Sequence, residues 1–397
     1  LPVIRRVWAR VVEADIRGVF RIHYAASSRT HSVFVGVELG DGTIGFGEAS
    51  PAPRVTWENI EAAKAYVEGL APRLQGLRLP EDMGKALRII HSGGPGFSSA
   101  RAGLESAIID AVARLLGVPA YTVLGGALHE RLVTDYTVSI PGEDVLEEIR
   151  QGSGALREAF VESIEYLVGK RDKAPENPPI PLPSINGFTV LKVKLGTGDP
   201  ALDVMLAETV YYAAEGRARI RIDANQAWSP KQAVRVVRRL EELMGDSLEL
   251  IEQPVPAGRL EDLAFVRERV ETPVAADESA RGLEEVARVA ARRAADVVNI
   301  KIAKIGGPLQ GARAAALLEA SGLEAMWGCM AETGLGIAQA YHAAVTSSAT
   351  RYVDLDSPLF LVRNPVEGPL LYERRDEGVV IRHHGGAGLG PRPAIRE

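Results

Sequence analysis

Between positions 190 and 301, five short apolar runs, most of them β-branched, each end on a charged residue. They are Val190-Leu-Lys-Val-Lys194, Arg219-Ile-Arg-Ile-Asp223, Leu248-Glu-Leu-Ile-Glu252, Pro273-Val-Ala-Ala-Asp277 and Val297-Val-Asn-Ile-Lys301. The terminal residues lie 29, 29, 25 and 24 positions apart. Asp223, Glu252 and Asp277 offer hard oxygen donors with no His or Cys beside them, a set suited to Mg²⁺ with room left for water or substrate. One Asp at a strand end ordinarily caps a helix. Three in succession, flanked by lysines, point to a site. Arginine stays protonated, whereas lysine serves as a general base once burial and neighbouring cations lower its pKa. The chain has nine lysines against 37 arginines, and Lys192, Lys194, Lys301 and Lys304 fall in or beside the two flanking runs. Two such bases on opposite faces of a metal-bound substrate would abstract a proton α to a carboxylate and return one from the far side. The outcome is inversion at carbon. A single working base gives elimination or cycloisomerisation instead.

Each interval between runs holds an amphipathic helical pattern such as Pro230-Lys-Gln-Ala-Val-Arg-Val-Val-Arg-Arg-Leu240. A strand plus its crossover helix takes about 30 residues, so this is a βα array on a parallel sheet, with chemistry at the carboxyl edge. Thr134-Asp-Tyr-Thr-Val-Ser139 reads as a strand before the array, and 322–328 and 351–356 as strands after it. Eight ends result, at 139, 194, 223, 252, 277, 301, 328 and 356, the number that closes a barrel. Strands two and six are opposite on such a ring, so Lys194 and Lys301 face each other across the mouth. Lys192 shares the face of Lys194 by alternation. Helices are expected over 142–168 and 334–348.

Ahead of the barrel, Val33-Phe-Val-Gly-Val-Glu-Leu39 and Thr43-Ile-Gly-Phe-Gly-Glu48 flank Gly40-Asp-Gly42, a hairpin signal. Residues 18–30 read as an irregular, mobile loop. Helical patterns occupy 57–75, 81–93 and 98–117. The proline-rich segment 170–186 reads as an insertion at the amino end of the Lys192 strand, away from the chemistry. The glycine-rich tail has a short strand at 378–382 and is expected to return to the N-terminal module.

Apolar content of 46% and charged content of 25% are those of a globular protein, and a net charge of −6 gives no reason to expect nucleic acid or an anionic membrane as partner. No stretch approaches the roughly 20 apolar residues of a membrane span. The single cysteine, Cys329, excludes an internal disulfide framework and fits a reducing compartment. A cytoplasmic protein acting on a small molecule is expected.

The chain resembles the enolase superfamily, in the muconate-lactonising subgroup, and within it the dipeptide epimerases. The resemblance spans essentially the whole length. It rests on Leu191-Lys-Val-Lys194, Ile222-Asp-Ala-Asn-Gln226, Ile251-Glu-Gln-Pro254, Ala276-Asp-Glu-Ser279, Asn299-Ile-Lys301 and Lys304-Ile-Gly-Gly307, with Gly45-Phe-Gly-Glu48 and Leu124-Gly-Gly126. It implies an α/β fold, a modified TIM barrel of (β/α)7β type over 126–360. An α+β capping domain over 1–125 would be completed by 361–397. By that resemblance Asp223, Glu252 and Asp277 bind one Mg²⁺ per subunit, Lys194 and Lys301 form the acid/base pair, and Lys192 contacts the substrate carboxylate. Asn225, Glu278 and Lys304 lie in the same motifs and would support the ligands. Homo-oligomers are common among such proteins and one is expected here.

Asp354-Leu-Asp356 looks like the Asp-x-Asp of dipeptide epimerases, which holds the substrate's α-ammonium group. Cycloisomerases, o-succinylbenzoate synthases and N-acylamino acid racemases take substrates with no free ammonium there. The plainer reading of Asp356 is a cap on a following helix. Thr137, Tyr24, Cys329 and Met330 are further candidates for the substrate pocket, although a buried Met or Cys is more often packing. One position departs from the pattern. Ala25 stands where epimerases of Ala-Glu dipeptides carry an arginine, with Arg21 and Arg29 to either side, so a neutral or hydrophobic second residue is expected. The resemblance thus implies Mg²⁺-dependent epimerisation of an L,L-dipeptide at the α-carbon of its C-terminal residue, through an enediolate. The alternatives are a cycloisomerase, o-succinylbenzoate synthase or N-acylamino acid racemase of the same superfamily and a non-catalytic binding relative, the latter disfavoured by five competent residues in place.

Overall fold

The computed structural model describes residues 1–394 apart from Pro95 and Pro369. It opens with an antiparallel sheet of β1 (Ile4–Ile22), β2 (Ala25–Leu39) and β3 (Ile44–Ala49). Residues 18–30 are therefore not an irregular loop. They extend the β1–β2 hairpin to a turn at His23-Tyr24, with Phe20 opposite Ser27, Ile22 opposite Ala25 and a register irregularity between Asp15 and Phe20. This stretch lacks an alternating apolar pattern because its anchors are distant. Phe20 packs on Phe360 with ring centroids 4.9 Å apart, and Val362 N donates to Asp15 O (2.8 Å).

Helices α1 (Ile60–Leu74), α2 (Met83–His91) and α3 (Ser98–Leu116) cover the sheet. Contact between α3 and β3 is close enough to require glycine. A Cβ on Gly45 would lie 2.2 Å from Ala107 O, and one on Gly47 would lie 2.1 Å from Gly103 O. Gly45-Phe-Gly-Glu48 is thus a packing motif that also presents Glu48.

After β4 (Leu132–Val133) come eight strands. They are β5 (Tyr136–Val138), β6 (Val190–Lys194), β7 (Arg219–Asp223), β8 (Leu248–Glu252), β9 (Val274–Ala276), β10 (Val297–Lys301), β11 (Glu324–Gly328) and β12 (Thr350–Asp354). They form one sheet in sequence order, every neighbouring pair parallel. Asp135 N donates to Val353 O (3.2 Å), bringing the two ends of the sheet together. Helices follow the first seven strands and only a 3₁₀ turn, Ser357–Phe360, follows the eighth, which makes a (β/α)7β barrel. The helix expected over 142–168 is two, Glu143–Gln151 and Ala155–Leu167, interrupted where Gly152 and Gly154 adopt φ of 77° and 135°.

Alternation along the strands separates two cores. Outward residues such as Val193, Ile222, Ile251 and Ile300 join the large cluster under the helices. Leu250, Ala275, Val297, Met326 and Tyr352 form a cluster of their own. They precede Glu252, Asp277, Lys301, Gly328 and Asp354 by two or four positions, and so fill the barrel one layer below the site. Arg221 completes this floor, bonded to Asp135 (2.8 Å) and Glu249 (2.7 Å) and lying over the Tyr352 ring.

The tail supplies β13 (Val366–Glu367), β14 (Leu370–Arg375), β15 (Gly378–His383) and β16 (Arg392–Pro393). Strand β15 pairs with β14 and with β4. Near Gly388-Leu389 the tail reaches α3, where Leu389 N donates to Asp110 (2.6 Å). The 170–186 segment packs at the amino end of β5, Pro181 O accepting from the Tyr136 hydroxyl (2.8 Å). No helix among the described residues is long and apolar enough to cross a membrane.

Candidate active site

Asp223 and Glu252 are the last residues of β7 and β8, and Asp277 follows β9 directly. All three are buried, and one carboxylate oxygen from each lies within 4.8 Å of the others. Lys194 Nζ donates to Asp223 Oδ2 (2.5 Å) on one flank, and Lys301 Nζ to Asp277 Oδ2 (2.7 Å) on the other. Glu252 sits between, its Oε1 accepting from Asn299 Nδ2 (2.6 Å) while its buried Oε2 has no hydrogen-bond partner. An orphaned carboxylate oxygen inside an all-oxygen cluster fits a hard divalent cation such as Mg²⁺.

Burial pushes Glu252 up to about 8, and the neighbouring Asp223 carboxylate adds to the rise. Burial acts upward on Asp277 too, but the Lys301 and Lys304 ammonium groups outweigh it and hold the carboxyl well below the usual range. The sequence reading expects depressed lysines. At Lys301 burial does press the pKa down, yet the Asp277 and Glu252 carboxylates hold the ammonium well above its ordinary value. Lys304 is lowered by burial and donates to Asp277 through both its carboxylate and its backbone carbonyl (2.7 Å), and to Asn299 O (3.0 Å). Asn225 is split between Asp223, which accepts from its backbone N–H (2.9 Å), and Glu278, which accepts from its side chain (3.4 Å). Burial, then the Asp277 charge, pushes Glu278 up to about 7.

A second group lies across the barrel. Lys192 Nζ donates to Asp354 Oδ2 and is 3.7 Å from Glu252 Oε2. Thr137 joins both aspartates, its N–H donating to Asp356 (2.6 Å) and its hydroxyl to Asp354 (3.3 Å). Strand β12 ends at Asp354, so Asp356 is two residues past the strand instead of on it. Asp356 opens the Ser357–Phe360 turn but does not cap it with its side chain, which faces Thr137 and Cys329 Sγ (3.8 Å). Burial and Asp354 push Asp356 up to about 7. The Cys329 thiol is driven well up by burial, then by Asp354 and Asp356, which makes it a poor nucleophile. Met330, half-buried beside it, donates its N–H to Glu332 (3.3 Å).

The β1–β2 turn places Tyr24 over this mouth. Its phenol is pushed up by burial and then by Glu278, Asp277 and Asp223, and it feels Lys301. Arg54 lies 5.1 Å from its ring centroid. Ala25 is exposed, and Arg29 is committed to Asp15 (2.8 Å) and Glu13 (3.1 Å).

Sequence reasoning missed Glu332. It is buried in the loop after β11, and burial, reinforced by Glu48, pushes it up to about 8. An acid four residues past the seventh strand end is the signal the sequence offers for it.

Residues 6–125 match the mandelate racemase / muconate lactonizing enzyme N-terminal domain, and residues 184–393 match the enolase C-terminal domain-like family. The L-Lys-D/L-Arg epimerase of Methylococcus capsulatus is 34% identical over 93% of this chain and 94% of its own length. The substrate-liganded L-Ala-D/L-Glu epimerase from Bacillus subtilis superposes with a TM-score of 0.84 at 30% identity, covering 99% of both chains. The dipeptide epimerase from Enterococcus faecalis V583, complexed with Mg and L-Leu-L-Tyr, gives a TM-score of 0.82 at 28% identity over 98% of this chain and 99% of its own. With both domains matched and relatives aligned nearly end to end, this chain belongs to the mandelate racemase / muconate lactonizing enzyme family of the enolase superfamily.

Proposed function

We propose that this chain is a dipeptide epimerase that inverts the α-carbon of the C-terminal residue of an L,L-dipeptide, with Lys194 and Lys301 as its two bases. The carrying observation is that these lysines reach the outer two of three convergent carboxylates, from opposite flanks. All three relatives described above bear dipeptide epimerase names, and one was solved with Mg and a dipeptide.

Asp223, Glu252 and Asp277 would hold Mg²⁺. When bound, the ion offsets the negative charge that gathers on the substrate carboxylate as the α-proton leaves, and the carboxylate charge that holds Lys301 protonated. One lysine takes the α-proton as the C–H electron pair moves into the carboxylate, giving an enediolate. The other, as ammonium, delivers a proton from the far face. A dipeptide is a zwitterion, and its two charged ends match the two partners that Lys192 and Asp354 now provide for each other. Substrate carboxylate would go to Lys192 and substrate ammonium to Asp354 and Asp356. A substrate without an ammonium group would leave two buried aspartates without a cation, which favours a dipeptide over the one-base reactions. At the hairpin tip, Ala25 offers no charge and Arg29 is engaged elsewhere, which supports a neutral or hydrophobic second residue.

The test is to incubate pools of L,L-dipeptides with the protein and Mg²⁺ in D₂O. A mass gain of one with appearance of the L,D diastereomer is expected. No exchange with any pool, or turnover without a diastereomer, would overturn the reading.

A further inference from the structure

The two lysines leave their strands into loops that are held in different ways. After Lys194, Gly196 N and Thr197 N donate to Asp203 (2.9 and 2.8 Å), a residue of the next barrel helix, Pro200–Ala214. Contact from the N-terminal module comes from the exposed His23 against Gly196 O (2.7 Å). That loop is fixed chiefly by the barrel itself.

After Lys301 the chain makes one helical turn, Ile302–Ile305, passes Gly306 and Gly307 at φ of 99° and 141°, and enters the helix Pro308–Ser321. The turn is pinned at both ends. Inward, Lys304 grips Asp277 and Asn299 O. Outward, Glu105 of α3, fully buried, accepts from Leu309 N (2.7 Å), Gln310 N (3.3 Å) and the Gln310 side chain (3.3 Å). Those backbone donors are groups that a helix start leaves unpaired, and the helix dipole favours an anion there. The two backbone donors take Oε1, and His91 Nε2 (2.7 Å) shares Oε2 with the Gln310 side chain. A Cβ on Gly307 would lie 2.2 Å from Glu105 Oε1, so the glycine is what lets the carboxylate dock. Lys304-Ile-Gly-Gly307 thus joins the metal-side carboxylate to a peg from the other domain.

We propose that Glu105 is a positioning residue for Lys301: the N-terminal module aims this amine through the 302–307 turn, while Lys194 is aimed chiefly by the barrel. This rests on the two-base reading above. Loosening the peg then damages one face of the reaction. The epimer whose α-hydrogen faces Lys194 still gives its proton to that amine. The ammonium, equilibrated with solvent, returns a deuteron to the same face, so exchange continues without inversion. The other epimer needs Lys301 to lose its proton at all.

The experiment follows solvent deuterium exchange from pure L,L and pure L,D dipeptide separately, in the Mg²⁺-loaded enzyme, for wild type, Glu105→Ala and Gly307→Ala, with Lys301→Ala as the reference. Both positioning variants are expected to lose about 10-fold or more in epimerisation, the size that a small misplacement of a reacting group produces. Exchange from one epimer should fall with it, the same epimer that Lys301→Ala silences, while exchange from the other stays within about 2-fold. Equal loss from both epimers, or loss from neither, would overturn the assignment. If Glu105→Ala does not fold, Gly307→Ala gives the same readout, since it keeps the Glu105 carboxylate for its other partners while the added Cβ forces carboxylate and turn apart. Wild-type protein that exchanges neither epimer would sink the two-base reading instead, a separate result.

Discussion

Lys192 on β6 and Asp354 on β12 are bonded to each other over the intervening β5, although the sequence reading assigns them to opposite ends of a substrate. Each is buried. Burial presses the Lys192 pKa down, but Asp354 and Glu252 hold it well above its usual value. Asp354 is likewise raised by burial yet lowered overall by Lys192. A ligand carrying both an ammonium and a carboxylate can replace this internal pair without stranding either charge.

Removing one member should therefore be costly twice. Asp354→Ala is expected to lower stability by about 3 kcal/mol, the scale for breaking a buried ion pair. KM for the dipeptide should rise about 10-fold or more while N-acylated analogues show no comparable change. Urea denaturation and steady-state kinetics check the two effects separately.

Each lysine should prove indispensable for inversion. Lys194→Ala and Lys301→Ala are each expected to cut epimerisation by about 10³-fold, within the range for general acid–base groups. Proton NMR in D₂O should show each variant still exchanging one epimer, and a different one in the two cases.

Divalent ion should stabilise the fold as well as support turnover. Three buried carboxylates within 4.8 Å repel one another until a cation shares their charge. Saturation at 100 times Kd is expected to add about 2.7 kcal/mol. Chelation should abolish activity, Mg²⁺ should restore it, and Glu252→Gln should lose the thermal shift on adding Mg²⁺.

Acid sensitivity should trace partly to His342. Burial, with His383 beside it, lowers this imidazole to about 3. It is neutral and satisfied on both sides, Nδ1 accepting from Tyr121 N (3.1 Å) and Nε2 donating to Leu389 O (3.1 Å). With the folded pKa below the unfolded one, the unfolded chain binds the extra proton, so this contribution is full above about pH 6.5 and declines as pH falls toward 3. Between pH 7 and pH 5 wild type should lose about 2 kcal/mol more than His342→Gln does. Denaturation curves at the two pH values decide it.

Helix Gly334–Ala344 should depend on Glu48. This carboxylate is buried and accepts from Ser32 (2.6 Å), Thr333 N (3.0 Å), the Thr333 hydroxyl (2.5 Å) and Gly336 N (2.8 Å). Glu48→Ala leaves those donors buried without an acceptor and is expected to cost about 3 kcal/mol by urea denaturation. Glu48→Gln should cost less.

The sequence alone determined the eight strand ends to within two residues, the carboxylates and lysines on them, and the closure of the barrel. Those features are written in local periodicity, because a strand's last residue and a helix's apolar stripe are set by neighbours a few positions away. Asp356 lay just beyond that reach: its place on the rim was legible, but not that the strand stops before it. Tertiary structure decided the rest. It ordered the 18–30 hairpin through Phe360, paired Lys192 with a residue 162 positions away, and brought Glu105 to a helix start 204 positions on. Such contacts leave no period in the chain. They exist only once two domains have packed, when a buried carboxylate must find donors wherever the fold has left them unpaired.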